Sequence, residues 1–201
     1  MRHHRVRLRW LASLSRWLHI YLSMVSFAVL LFFAVTGLTL NHQEWFSAQQ
    51  RTNQYKGNLD PKWMKTANAD GVAKLEIVER LRQAHHITGA LSDFRVEDSQ
   101  CAVSFKGPGY SADAFIDRAT GGYELTEIRM GVFAVLNDLH KGRDTGSSWA
   151  TVIDISAVLM TLVSLTGLML IFFHSKRRRS GLLVLTTGAL LCYLAFRIWV
   201  P

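Results

Sequence analysis

The stretch LHIYLSMVSFAVLLFFAVTGLTL, residues 18–40, contains no charged side chain over 23 positions. A helix of this length, at about 1.5 Å per residue, can cross a hydrocarbon core of about 30 Å. The run is longer than the roughly 7–15 apolar residues of a secretory signal peptide, and no small-x-small cleavage site follows it cleanly. The sequence therefore predicts a retained anchor and an integral membrane protein.

Two further apolar runs extend over residues 150–173 and 181–200, and each holds one charge. Asp154 lies near the start of the second run, and Arg197 lies near the end of the third. Opposite charges at similar depth in a bilayer lower each other's insertion cost, so we predict that these two side chains pair. The predicted fold class is an α-helical membrane protein with three transmembrane helices, at 18–40, 150–173 and 181–200.

The net charge of +8 comes from two short segments that flank these runs. Residues 1–17 contain five Lys and Arg side chains and residues 175–180 contain four, in both cases without an acid. Residues 41–149 contain 13 basic and 14 acidic side chains, so the central segment offers no basic surface for nucleic acid. The positive-inside rule instead predicts a cytoplasmic basic tail at 1–17 and a cytoplasmic basic loop at 174–180.

This orientation predicts a multi-pass protein of a bacterial inner membrane, in contact with the lipid bilayer. The N-terminus is expected in the cytoplasm, and residues 41–149 and the C-terminus are expected in the periplasm. Two cysteines, Cys101 and Cys192, are too few for a disulfide framework. Because the sequence contains no C-x-x-C-H motif, covalently attached c-type haem is excluded.

The segment 41–149 has the pattern of a small inserted α+β domain. Apolar residues at helical spacing predict a helix over 72–86, with Asp70 as its N-cap. A second short helix is predicted over 131–140. The apolar face of the first helix is predicted to comprise Val72, Leu75, Val78 and Leu81.

Between these helices, apolar and polar residues alternate in short runs separated by Gly, Pro and Asp turn signals, which is typical of an antiparallel meander. The inward positions of the four predicted strands are Phe94 and Val96; Cys101, Val103 and Phe105; Ala112, Ala114 and Ile116; and Tyr123, Leu125 and Ile128.

Four of the eight histidines bracket the two longer apolar runs. His19 and His42 lie at the two ends of the first run, and His140 and His174 lie at the two ends of the second. Antiparallel helices would bring His19 near His174 on the cytoplasmic side and His42 near His140 on the outer side. Ionisable side chains at membrane helix ends are functional hypotheses by default, so these residues form two candidate bis-imidazole pairs.

Two interpretations of these histidines remain open. Neutral imidazole is a common axial ligand of haem iron, and zinc would recruit Cys or carboxylate ligands that are missing here. Alternatively, each histidine is an amphipathic side chain among lipid headgroups. The Thr-Gly pairs that include Gly37 and Gly167 are equally ambiguous, because a small residue permits either close helix packing or room for a flat cofactor.

Two motif pairs carry a resemblance to a known family. Arg16-Trp17-Leu18-His19, leading to Thr36-Gly37-Leu38, resembles the first membrane segment of the PepSY-associated transmembrane family. Leu139-His140-Lys141-Gly142, followed by Leu165-Thr166-Gly167-Leu168, resembles its second segment. The helix and strands between them are similar to a PepSY domain, and the resemblance covers roughly residues 10–180.

The resemblance implies a function as well as a fold. Family members include inner-membrane ferric-siderophore reductases in which b-type haems carry electrons across the membrane. The resemblance therefore implies one or two haem b groups held by His19, His140 and His174, with His42 as a weaker match. It also implies that Gly37 and Gly167 lie beside the cofactor. The implied role is a membrane ferric reductase or electron-transfer subunit with periplasmic ferric iron or a ferric siderophore as acceptor.

Two features of the chain limit this implication. No G-x-G-x-x-G signature follows a strand, so electrons would come from quinol or from a separate reductase. Larger family members have four or more membrane helices, so a partner or a homo-oligomer would complete the bundle. The alternative function is a non-redox, membrane-anchored PepSY module that binds or regulates a periplasmic partner.

Overall fold

The structure is a computed structural model that describes residues 2–65 and 71–200. Two compact units are present. The sheet unit comprises residues 33–152, and the helical unit comprises the residues up to Phe32 together with those from Ile153 onward. The main elements follow one another as α1 (Arg2–Asn41), β1 (Arg51–Asn58), α2 (Lys74–His85), β2 (Ala90–Val96), β3 (Gln100–Gly107), β4 (Tyr110–Asp117), β5 (Gly122–Arg129), α3 (Val132–Lys141), α4 (Gly146–Phe173) and α5 (Arg178–Trp199).

Three helices in the described part of the chain are long and apolar enough to cross a membrane. Their apolar segments are Trp10–Asn41, Gly146–Phe173 and Arg178–Trp199. In the most apolar 18 residues of each segment, at most 11% of the residues are buried within the isolated chain. The predicted fold class of three membrane helices with an inserted α+β domain is thereby confirmed. The helix that was predicted to begin at residue 18 extends back through the basic tail to Arg2.

The sheet is antiparallel throughout and has the strand order β1-β5-β4-β3-β2. The four predicted strands are confirmed, and β1 is an addition that the sequence did not predict. Its sequence, RTNQYKGN, is polar at nearly every position because β1 is an exposed edge strand. An edge strand is held to its neighbour, here β5, by backbone hydrogen bonds, so it needs no apolar alternation.

The apolar core of the sheet unit lies between α2 and one face of the sheet. From α2 it includes Ile77, Val78 and Leu81, which are at most 7% exposed. Leu75 was predicted to share this face but is 70% exposed, because it lies in the first turn, about 120° around the helix from Leu81. The proposed N-cap Asp70 lies outside the described residues.

The predicted pair of intramembrane charges is not formed. Asp154 and Arg197 are both exposed and make no salt bridge within the described residues. The prediction was wrong because α5 buries none of its residues against the rest of the chain. A contact of α5 with α4 lies instead next to the loop that joins them, where Gly181 approaches Ile171.

The sheet also buries a carboxylate that the sequence pattern did not single out. Glu127, which is 2% exposed, follows Tyr123 and Leu125 on the core face of β5. Its oxygens accept hydrogen bonds from Asn53 Nδ2 (3.2 Å), from the hydroxyl of Tyr110 (3.1 Å) and from Arg129 (2.8 Å). A buried carboxylate needs such partners, and here they come from three of the five strands or their ends.

These contacts fix the ionisation of Glu127. Burial alone would raise its pKa, but the hydrogen bonds from Arg129, Asn53 and Tyr110 outweigh burial, and the pKa is lowered from its ordinary value. Burial and the hydrogen bond to Glu127 raise the pKa of Tyr110 to about 12, so its hydroxyl stays protonated and donates. At neutral pH the Glu127 carboxylate is therefore ionised and accepts, while the Tyr110 hydroxyl is neutral and donates.

Truncating the core face of α2 tests the packing. We expect Leu81→Ala to reduce the local unfolding free energy of the sheet by about 2–5 kcal/mol, because it removes buried methyl groups and leaves a cavity. Leu75→Ala, on the exposed side of the same helix, serves as the matched control and should change it little. Hydrogen exchange of peptides from β3 to β5, measured on the full chain in detergent, gives the local unfolding free energy of the sheet in both variants. Equal effects of the two variants would contradict the packing.

A pH titration tests the buried carboxylate. Because the folded pKa of Glu127 is below its unfolded value, its contribution to stability is present above that unfolded value and is lost as the pH falls through the folded pKa. We expect sheet protection to decline in acid below about pH 4.5, and we expect Glu127→Gln to make this decline shallower. An acid profile that Glu127→Gln leaves unchanged would show that Glu127 does not cause it.

Candidate functional site

His19 lies on α1 and contacts α4 within the helical unit. Its Nδ1 lies 3.2 Å from the backbone carbonyl oxygen of Val163 and 3.1 Å from the hydroxyl oxygen of Thr166. The Thr166 hydroxyl donates its own proton to carbonyls one turn earlier in α4, at 2.8 Å from Leu162 and 2.9 Å from Val163. Both oxygen atoms facing Nδ1 are therefore acceptors.

This geometry fixes the tautomer of the neutral His19 ring. A carbonyl oxygen can only accept, so Nδ1 must carry the proton and donate it. Nε2 then keeps a lone pair in the plane of the ring, which is the arrangement that a metal-ligating imidazole requires. The site presents a nitrogen ligand whose orientation is set from the opposite helix.

Gly167 makes the approach of this ring possible. A Cβ atom placed on Gly167 would lie 3.0 Å from Cε1 of His19, a separation tighter than nine in ten real Cβ contacts. The small residue of the second Thr-Gly pair therefore accommodates the imidazole itself.

His140 repeats the arrangement within the sheet unit. It lies on α3, and its Nδ1 is 2.7 Å from the hydroxyl oxygen of Thr36 on α1. The Thr36 hydroxyl in turn lies 3.4 Å from the carbonyl of Phe33, to which it donates. Cε1 of His140 would be 3.6 Å from a Cβ on Gly37, and the Phe33 ring packs edge-on against the imidazole, with centroids 5.1 Å apart.

The partner of His140 differs from that of His19 in one respect. A hydroxyl can accept or donate, so the Thr36 contact holds the Nδ1 side of the His140 ring without fixing which ring nitrogen carries the proton. Each of the two Thr-Gly pairs near a membrane helix end thus receives one imidazole from another helix. We name these two arrangements, each of one His, one Thr and one Gly, the His19 clamp (with Thr166 and Gly167) and the His140 clamp (with Thr36 and Gly37).

The other two predicted site histidines, His174 and His42, directly follow the ends of α4 and α1. His174 follows Gly167, the residue that the His19 ring contacts, by seven residues, or two helical turns, and its pairing with His19 around a cofactor stays a prediction. It lines a cavity of about 320 Å³ together with Arg16, which lies one turn before His19 on α1. His42 stacks on Trp45 at 4.0 Å between ring centroids and makes neither a hydrogen bond nor a ring contact with His140 in the described structure.

Two buried polar residues that the sequence did not single out hold α3 in place. Asn137 and Asp138 are 7% and 5% exposed. The Thr39 hydroxyl on α1 donates to Asn137 Oδ1 at 2.8 Å. Asp138 accepts the backbone N–H of Gly109, in the β3–β4 hairpin, at 2.8 Å and pairs with Arg143 at 2.6 Å.

The chemistry of these donors fits the iron of a b-type haem. Such iron takes neutral imidazole nitrogens as axial ligands, and partner groups that accept the other ring proton set the ligand's tautomer and basicity. His19 meets this requirement through the Val163 carbonyl, and the Nδ1 side of His140 faces the Thr36 hydroxyl. Arg16, in the cavity that His174 also lines, supplies a cation of the kind that pairs with carboxylates.

Comparison with known proteins gives a match to one family. A model of the family described as PepSY_TM-like matches residues 13–201, which includes all three apolar helices and the whole sheet. No curated protein and no solved structure matches the chain.

Enlarging the glycine of one clamp tests its packing role. We expect Gly167→Leu to cost about 1–3 kcal/mol, because the new side chain competes with the His19 ring for the same space. Gly188→Leu is the matched control, since Gly188 also follows a threonine in an apolar helix but has no atom within 4 Å of its Cβ position. Thermal unfolding in detergent compares the two, and equal losses would contradict the clamp.

Proposed function

The chain belongs to the PepSY_TM-like family, and we propose that it is a membrane haem b protein that transfers electrons across the bilayer. One observation carries the proposal. In both clamps an oxygen on another helix engages Nδ1, and in the His19 clamp this oxygen includes a carbonyl that can only accept, which leaves the Nε2 lone pair of His19 for a metal. Haem, when bound, supplies one-electron exchange at its iron.

The residues of the chain have separate roles in this proposal. His19 and His140 would provide nitrogen ligands to the haem iron, with Thr166 and Thr36 holding the Nδ1 side of each ring. His174 and His42 are the candidates for further ligands. Arg16 provides a counter-charge for the carboxylates of the porphyrin.

The direction of electron flow is part of the proposal. The chain has no nucleotide-binding signature, so quinol or a separate reductase would supply electrons at one face. A periplasmic acceptor, with ferric iron or a ferric siderophore as the candidate, would receive them at the other. With one haem, the chain would be one subunit of a larger electron-transfer path. With two haems, it would carry electrons across more of the membrane.

A second candidate function is a non-redox anchor for the sheet domain. It is favoured by the observation that each imidazole already fills a glycine notch, as a purely structural packing residue would. In that case the clamps align the membrane helices, and the sheet unit, which has its own apolar core, binds a partner. The two functions differ in whether Nε2 is used.

A difference spectrum separates them. We expect the full-length protein, purified in detergent from haem-replete cells, to show reduced-minus-oxidised Soret, α and β bands. His19→Gly and His140→Gly should each remove or shift a component of these bands, because each removes an axial ligand. His86→Gly, at the exposed end of α2, is the control and should keep the wild-type spectrum.

Added imidazole distinguishes ligand loss from misfolding. A glycine in place of a ligating histidine leaves a space that free imidazole can enter, so the bands of His19→Gly and His140→Gly should return in its presence. A colourless wild-type protein would refute the haem proposal and favour the anchor function. Bands that both variants retain unchanged would show that these two histidines are not the ligands.

A further inference from the structure

A cleft of about 700 Å³ lies between the end of α4 and the start of α5, within the helical unit. Leu170 and Ile171 of α4 and Val184 of α5 form its apolar wall, and the polar groups at its end are His174, Arg177 and Ser180. Its volume is in the range of pockets that hold small molecules. Leu170 and His174 also line the cavity that contains Arg16.

The helical unit provides no anion to neutralise this cleft among its described residues. Residues 1–32 and 153–201 contain ten Lys and Arg side chains but a single acid, Asp154, which is at the other end of α4. The side chains of His174 and Arg177 are exposed and have no hydrogen-bond or ion-pair partner among the described residues. The positive charge of Arg177 is therefore accessible to an anion of another molecule.

The start of α5 adds to the positive potential. Arg177 precedes the first turn of this 22-residue helix, and its side chain makes no capping hydrogen bond. The first N–H groups of a helix lack partners within the helix and carry the positive end of its dipole. The positive charge of Arg177 and the positive end of the α5 dipole thus lie at the same end of the cleft.

The shape of the cleft selects among anions. Its wall continues along the apolar faces of α4 and α5, which are both long enough to span a membrane. A soluble anion would neutralise Arg177 but leave the apolar wall uncovered. Basic pockets between membrane helices, close to the membrane surface, suit lipids with anionic headgroups.

We propose that this cleft binds one anionic phospholipid, with its phosphate at Arg177 and Ser180 and an acyl chain along Leu170, Ile171 and Val184. Gly181 makes the site possible, because a Cβ there would lie 3.2 Å from Cγ2 of Ile171 and would narrow the groove. The lipid would join the ends of α4 and α5 and stabilise their connecting loop. The proposal does not depend on haem.

Lipid titration of the full-length protein tests the site. Native mass spectrometry in detergent would count bound lipids and give their affinities for phosphatidylglycerol and for phosphatidylcholine with the same acyl chains. We expect one phosphatidylglycerol to bind at least about fivefold more tightly than phosphatidylcholine, since one basic side chain near a membrane contributes about that factor. Arg177→Gln should remove this preference.

Arg179→Gln is the matched control, because it removes the same charge two residues away and outside the cleft. It should retain the high-affinity lipid. Equal losses in the two variants would overturn the proposal in favour of a diffuse basic surface. Equal affinities for the two lipids, or displacement of phosphatidylglycerol by inorganic phosphate at the same concentration, would also overturn it.

Discussion

Inside a bilayer, a polar N–H group has no water to bond, so it must find an acceptor in the protein. The imidazole of His19 meets this constraint with the Val163 carbonyl and with the Thr166 hydroxyl, which donates its own proton to the preceding helical turn, and Nδ1 of His140 lies 2.7 Å from the Thr36 hydroxyl oxygen. The glycine after Thr166 lets the His19 ring approach closely, whereas a Cβ on Gly37 would be in ordinary contact with the His140 ring at 3.6 Å. A histidine, a threonine and a glycine on neighbouring segments therefore act as one unit.

The third Thr-Gly pair shows that the dipeptide alone is insufficient. Thr187 and Gly188 have the same spacing, but no atom lies within 4 Å of a Cβ on Gly188, and α5 buries none of its residues. The dipeptide provides a notch, and the partner histidine provides the interaction. This explains why sequence spacing left open whether the glycines served helix packing or a cofactor.

Helix α3 gives the sheet a physical connection to the His140 clamp. Its consecutive residues Asn137 and Asp138 face different partners, Thr39 on α1 and the β3–β4 hairpin at Gly109. His140 lies two residues after Asp138 on the same helix, which is less than one turn. A shift of the hairpin would therefore move α3, and with it the imidazole, because buried hydrogen bonds to charged groups are costly to break. The sheet is thus a candidate to influence the position of the imidazole in the His140 clamp.

How far the sequence predicted the structure depends on the kind of interaction. Long uncharged runs and period-2 strands were predictable because they reflect burial, whereas β1 is held by backbone hydrogen bonds and leaves no apolar pattern. Glu127 occupies a core-facing strand position where the pattern had indicated Ile128 instead, because the partners that permit its burial come from other strands. The pairing of the four histidines around a haem stays a prediction, whereas the contacts of His19 with Thr166 and of His140 with Thr36 could not be predicted because contacts between helices leave no signal in the composition.

The polar contact in the two clamps bears on why histidine is present at all. A purely apolar contact in a glycine notch would be made as well by Leu or Phe, which have no polar atoms to satisfy. Histidine instead needs a hydrogen-bond partner for Nδ1, and in both clamps an oxygen on another helix provides it. Both rings are only partly buried, and Nε2 of neither ring is among the buried atoms that lack a partner in the described residues. The polar contact at Nδ1, rather than the filling of space beside a glycine, is therefore what distinguishes histidine from an apolar residue at these two positions.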